Sequence, residues 1–229
     1  NFTLAMPRTM LNDQHWSKLQ NIFRQFNIYL KPNLRNFVVA ILFRIRTGCP
    51  WRDLPSEFGN SNSIFQKFNR WSSNEKLVKI FKLFANNADI EWIFIDGSHV
   101  RAHQHSSGRK DQDISKSIGG NSSKIHLAVD SNGNPIEFII SDGTTHDMKI
   151  APTLVQQLDL SETETLCAVK GYDSESLRVQ IQNTDTKANI PRKSNAQSNN
   201  DHMDWYLYKI RHLVENAFCR LKHFRGIAT

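Results

Sequence analysis

Two parts of the sequence carry residues able to do chemistry together. Asp96 follows the apolar run Trp92-Ile93-Phe94-Ile95 and precedes Gly97. An acid at the end of a strand presents its carboxylate to a cleft, and a following glycine lets a ligand or backbone come close. Near the C-terminus, Tyr208, Arg211, Glu215 and Lys222 fall within an arc of about 60° at 100° per residue. Leu207, Ile210, Leu213, Val214, Ala217, Phe218 and Leu221 occupy the opposite arc. Such a helix buries an apolar face and presents one acid among cations and a phenol. Brought together by the fold, Asp96 and Glu215 would be able to share a hard divalent cation, which prefers carboxylate oxygens. Spacing alone favours plainer readings: an exposed face of i, i+4 pairs and a common Asp-Gly turn.

Other chemistry is less well supported. His99, His103 and His105 crowd behind Asp96, but no fourth ligand stands at a spacing suited to a transition metal. His146-Asp147 reads as a helix cap or as a pair supporting the site, with the cap favoured. Cys49, Cys167 and Cys219 are far apart, which argues against a disulfide framework and a zinc knuckle and fits a reducing cytoplasm. No apolar run approaches the roughly 20 residues of a membrane helix, and no signal pattern opens the chain.

The elements that must position these residues divide the chain in two. Residues 1–90 carry 13 Lys+Arg against 5 Asp+Glu, a net of +8, whereas residues 91–229 carry 16 against 17. The chain total of +7 over 229 residues is therefore an N-terminal property. That suggests a polyanion-binding part joined to a part with another task; a basic surface kept for solubility is the alternative. The first part reads as short helices. Asn12 or Asp13 caps one with Trp16, Leu19, Ile22, Phe23 and Phe26, and Asn33 precedes one that stops at Thr47-Gly48-Cys49-Pro50. Trp51–Pro55 forms a short turn, Ser61 or Ser63 starts a third helix, and Leu77–Phe84 lies in a fourth. The aromatic stripe is read as core. The pattern is compatible with a helix-turn-helix-like DNA-binding domain. Beyond residue 90 strands appear at 92–95, 124–129, 135–140 and 165–169, with Asn132-Gly133 as a hairpin turn. Residues 100–122 read as a polar loop, 147–158 and 174–183 as helices, 193–202 as a linker and 204–224 as one closing helix. This is α/β rather than all-helical.

At these residues the chain resembles the DDE transposases of bacterial insertion sequences, in the insertion-sequence-five group of the insertion-sequence-four superfamily. The resemblance runs from Met6 to Thr229. It is carried by Leu11–Trp16, Gly48–Pro55, Asp96-Gly97-Ser98-His99-Val100-Arg101-Ala102-His103, Gly119–His126, and Tyr208, Arg211, Glu215 and Lys222 as the Tyr-Arg-Glu-Lys signature. It implies an α/β, RNase H-like catalytic core over residues 90–229, a mixed sheet flanked by helices. A helical, helix-turn-helix-like DNA-binding domain over residues 6–88 would precede it. It also implies three acids holding two Mg²⁺ ions, with Mn²⁺ able to substitute, for in-line DNA strand cleavage and strand transfer. Asp96 and Glu215 would be the first and third acids. Arg211 and Lys222 would bind phosphates, and Tyr208 the DNA end. Lys170, Arg44, Arg46, Arg52, Lys67 and Arg70 are the further cations expected on DNA. The partners implied are double-stranded DNA, as terminal inverted repeats and target, and a second copy in a synaptic dimer.

One departure matters. The family segment Ala-Asp-Lys-Gly-Tyr-Asp reads Ala168-Val169-Lys170-Gly171-Tyr172-Asp173 here. Val169 stands where the second catalytic Asp is expected, and a valine has no lone pair for a metal. Asp173, four residues on, would be a weak substitute. The start at Asn1 and the end at Arg225-Gly226-Ile227-Ala228-Thr229 add to an expectation of a decayed or incomplete copy, folded and DNA-binding but poorly catalytic. The competing expectations are a repressor or competitor at transposon ends, a metal-dependent nuclease of other substrates, and a basic structural protein.

Overall fold

The computed structural model describes residues 10–85, 88–101, 113–117, 120–194, 196 and 198–228. The chain divides into two compact units, one of residues up to Phe84 with His223–Ile227, the other of Ala85–Lys222 with the last two residues. His223–Ile227, expected with the second domain, thus packs in the first, where Gly226 N–H donates to Ile45 O at 2.7 Å.

The first unit contains α1 (Asp13–Gln25), α2 (Leu34–Thr47), α3 (Ser61–Ser73) and α4 (Lys76–Ala85), with short 3₁₀ turns at Trp51–Asp53 and Ser56–Phe58. Asn12 caps α1 by accepting from His15 N–H at 2.7 Å, and α3 starts at Ser61 as expected, capped by Asn60 through Ser63 N–H. α2 ends at Gly48, whose φ of +70° closes the helix in the left-handed region. The aromatic stripe is core: Phe23, Phe37 and Trp71 are buried and meet edge to face, with centroids 5.7 Å apart for Phe23–Trp71 and 5.1 Å for Phe37–Trp71.

The second unit is built on a mixed sheet. Its strands are β1 (Trp92–Arg101), β2 (Ser115–Ser117), β3 (Gly120–Val129), β4 (Pro135–Asp142), β5 (Thr165–Ala168) and β6 (Lys187–Asn189). β1 is central. It runs antiparallel to β3 and parallel to β5, which runs parallel to β6, while β2 and β4 pair with successive parts of β3. The β3–β4 hairpin turns where Asp130 accepts from Asn132 and Asn134 N–H and Gly133 takes a φ of +75°. Helices α5 (Asp147–Gln156) and α6 (Glu175–Gln182) bury Ala151, Leu154, Val155, Leu177 and Ile181 against Ile93, Ile95, Leu166 and Ala168 on one face. On the other face, α7 (Trp205–Ile210) and α8 (His212–Lys222) set Leu207, Val214, Ala217 and Phe218 against Phe94, Leu127, Val129 and Cys167. Four strands paired antiparallel, β1 to β4, followed by the parallel β5 and β6, with helices on both faces, make an RNase H-like core.

Four expectations need correction. Asp96 does not end its strand: β1 continues to Arg101, because β3 supplies partners as far as Ser122. For the same reason residues 100–122 are not all loop, although residues 102–112 lie outside the described residues. The closing helix is two helices, broken at Arg211, whose N–H bonds to Tyr208 O at 3.3 Å. β6 was not foreseen; Lys187–Asn189 is too short and polar to signal a strand, and its order comes from pairing with β5.

Candidate active site

Asp96 sits where the parallel part of the sheet ends. Ile95 pairs with Ala168, the last residue of β5, and beyond that, among the described residues, β1 has only β3 beside it. By strand alternation Asp96 lies on the face of Phe94 and its partner Leu127, the face covered by α8. Its Oδ1 accepts from Gly97 N–H at 2.7 Å. Burial raises its pKa; Gly97 N–H and Arg211 work against that, and the negative charges of Asp147 and Glu215 add to it.

The signature residues gather on the same face. Arg211 Nη1 donates to Glu215 Oε1, and the Arg211 guanidinium lies 5.2 Å from the centre of the Tyr208 ring. Trp205 meets Tyr208 edge to face at 5.8 Å. Lys222 Nζ donates to Ser98 Oγ at 2.6 Å, which ties the end of α8 to β1 two residues past Asp96. The wheel drawn through one continuous helix fails at Arg211, yet the four residues remain neighbours, because the break falls between Tyr208 and Glu215 and leaves the i, i+4 pair intact.

Val169 directly follows β5 and packs half-buried against the α5–α6 core. Its methyl groups offer no electron pair. Asp173, the weak substitute expected, is engaged elsewhere. It accepts from Arg178 Nη2 at 2.8 Å and from Lys193 N–H at 2.7 Å, with 8% of its side chain exposed. Its carboxylate is taken up in holding α6 and the following chain. Two divalent ions about 3.5–4 Å apart require a bridging acid. Asp96 and Glu215 alone, the latter held by Arg211, do not fit a two-ion centre. Among the described residues no group of three or more His, Cys, Asp or Glu could hold a metal ion.

The histidines do other work. His99 Nε2 lies 2.9 Å from Gly143 O, and His103 and His105 fall outside the described residues. His146 stands at the N-cap of α5 as read, but makes no side-chain capping bond. Asp147 instead pairs with Lys124 Nζ at 2.8 Å and approaches His126 Nδ1 at 3.3 Å. His126, fully buried, reaches Ser141 Oγ at 2.9 Å and Tyr172 OH at 3.4 Å. Lys124 and His126, polar residues alternating with Ile125 and Leu127 in the second half of β3, were the available signal for this network.

The remaining cations differ in exposure. Lys170 is exposed in the turn after Val169, and Arg46, Arg52 and Arg70 are exposed on the helical unit. Arg44 lies over the Trp51 ring at 4.6 Å. Lys67 lies over Phe37 at 4.2 Å and Trp71 at 5.3 Å, and its pKa is lowered by burial, then by Arg70 and Lys31.

Residues 87–229 match the family model "Transposase DDE domain", and residues 11–81 match "Putative transposase of IS4/5 family". The chain belongs to the DDE transposases of insertion sequences. It is 38% identical over 80 residues to "Uncharacterized protein y4sN" of Sinorhizobium fredii, covering 35% of this chain and 64% of that one. It is 34% identical over 106 residues to "Putative transposase for insertion sequence element IS6501" of Brucella ovis, covering 46% and 79%. The chain thus spans less than two thirds of the first of these relatives. A solved piggyBac transposase synaptic complex with hairpin DNA shares 14% identity at a TM-score of 0.36, over 54% of this chain and 28% of that one. Among the described residues no helix is long and apolar enough to cross a membrane.

Proposed function

We propose that this chain binds the terminal inverted repeats of an insertion sequence as a transposase does, and that Val169 leaves it impaired in DNA strand cleavage and strand transfer. The observation that carries this reading is the register of β1 and β5. Because Ile95 pairs with Ala168, residues 96 and 169 are the next along the two strands, one an acid and the other a valine; β5 ends there while β1 runs on beside β3. In the family reaction divalent metal activates the attacking oxygen; the donor set here falls one carboxylate short of that centre. The residues that hold DNA are unaffected by the loss. Arg211 and Lys222 offer charge-assisted hydrogen bonds to phosphate oxygens, and Tyr208 offers a ring and a hydroxyl to the DNA end. Bringing two ends together calls for a second copy of the chain. A bound but uncleaving protein acts as a competitor or repressor at those ends, the second reading that Val169 favours.

The test is a gel shift on the DNA flanking the gene, followed by cleavage assays with Mg²⁺ or Mn²⁺. The expected result is end-specific, salt-dependent binding with little cleavage, and gain of cleavage in Val169→Asp. Efficient cleavage by the unaltered chain would refute the impairment, and absence of end-specific binding would refute the function.

A further inference from the structure

We propose that the helical unit carries a phosphate-binding cleft at the start of α3, which clamps the DNA backbone. This rests on the reading of the chain as a DNA-binding transposase and assigns one contact site within it. The cleft, about 690 Å³, is walled by Arg44, Trp51, Arg52, Ser61, Asn62 and Phe65. Among the described residues its charged walls are two guanidinium groups, and no carboxylate lines it. Among the described residues neither Arg44 nor Arg52 enters an ion pair within 4.0 Å. The first turn of α3 adds a serine hydroxyl and an asparagine amide and carries no acid.

Arg44 is prepared for a ligand rather than spent on the protein. Its guanidinium lies 4.6 Å from the centre of the Trp51 ring, which is itself packed by Phe65 at 5.6 Å and Phe68 at 4.9 Å. Stacking holds the planar fork in place, so less side-chain freedom is lost when it binds. Its Nε is shielded from solvent and has no acceptor among the described residues. An arginine fork fixed against an aromatic, a second, exposed arginine and small neutral donors suit a tetrahedral dianionic or monoanionic oxygen cluster. The tryptophan edge and Phe65 add an apolar wall of the kind a deoxyribose can rest on. DNA is favoured over an acidic protein segment because fork geometry matches phosphate oxygens and because the net +8 of residues 1–90 attracts a continuous polyanion.

The experiment measures the affinity of the full chain for the gene's flanking duplex and for a scrambled duplex of equal length, over a salt series. Arg44→Ala/Arg52→Ala should lower affinity at least tenfold on both duplexes and flatten log K against log salt by about 2, at roughly 0.9 per phosphate contact. Lys18→Ala/Lys79→Ala removes equal charge from exposed positions outside the cleft and should do less. Circular dichroism checks folding. If the alanine pair unfolds, Arg44→Lys/Arg52→Lys carries the test: it should keep the salt slope and lose several-fold in affinity, since lysine cannot fork or stack as arginine does. Wild-type slope and affinity in the arginine variants, or losses no larger than those of the lysine control, would overturn the cleft while leaving DNA binding intact. A wild-type chain that binds neither duplex would overturn the proposed function and the cleft with it.

Discussion

Asp147 stands in the space a side chain on Gly97 would occupy: a Cβ there would lie 2.5 Å from Asp147 Oδ1 and 2.9 Å from Lys124 Cε. The residue after Asp96 is therefore glycine for want of room, since an ion pair lies against the strand at that point. Gly97→Ala should destabilise the fold by about 1–3 kcal/mol, the usual cost of overpacking. Urea unfolding checks this. Combining it with Asp147→Ser, which vacates the space, should give less than the sum of the two single effects. Full additivity would show that the crowding is not what excludes a side chain.

The Lys124–Asp147 pair is nearly enclosed, with 10% and 19% of the side chains exposed. Removing one partner leaves the other charge buried, so Lys124→Met alone should cost about 3 kcal/mol, at the low end for buried pairs because His126 still faces Asp147. Replacing both, as Lys124→Met/Asp147→Leu, should recover much of that loss. A double-mutant cycle measures the coupling, and a coupling near zero would mean that the pair is as replaceable as a surface one.

How much of this arrangement the sequence announced follows from the range of the forces involved. The helices α1 to α4 were legible because their aromatic and aliphatic spacing is local, as was the Asn132-Gly133 turn. The approach of Glu215 to Asp96 was suggested by the long motifs around them. The continuation of β1 past Gly97, the strand β6 and the Lys124–His126–Asp147 network were not. Each depends on a partner far along the chain: Ser122 and its neighbours for β1, β5 for β6, and the start of α5 for Lys124. The break at Arg211 escaped a wheel that assumes uniform turns.

Asp173 gives the fold an acid-sensitive tie. Burial favours its neutral form, but the hydrogen bonds from Arg178 and Lys193 N–H outweigh burial and hold its pKa below the ordinary carboxylate value. A carboxyl depressed on folding stabilises the protein above its unfolded pKa, and that stability is lost as pH falls through the folded pKa. Wild type should thus exceed Asp173→Asn in stability at neutral pH, with the difference shrinking once pH drops below the ordinary carboxylate range. Denaturant midpoints across pH 2 to 7, a range of about five units chosen to bracket that titration, provide the measurement. A difference independent of pH would assign the effect to packing instead.

Val169→Asp should trade stability for cation binding. Val169 Cγ2 lies 3.8 Å, and Asp147 Oδ2 3.2 Å, from where a Cβ on Gly171 would stand, so a carboxylate at 169 arrives in a region that already holds Asp96 and Asp147. Like charges in a half-buried place repel, and the lost apolar packing adds to this. In chelator, the variant should be less stable than wild type by about 1–3 kcal/mol. With MgCl₂ or MnCl₂ its melting temperature should rise, because a ligand that binds only the folded state stabilises it by RT ln(1 + [L]/Kd), about 2.7 kcal/mol at 100 times Kd. The unaltered chain, short of a ligand, should respond much less. Thermal melts with and without the salts read both effects, and calorimetric titration reads the stoichiometry. An equal rise in wild type and variant would mean that Asp96 and Glu215 bind the cation unaided and that Val169 is not the missing ligand position. No rise in the variant would mean that a carboxylate at 169 does not face Asp96.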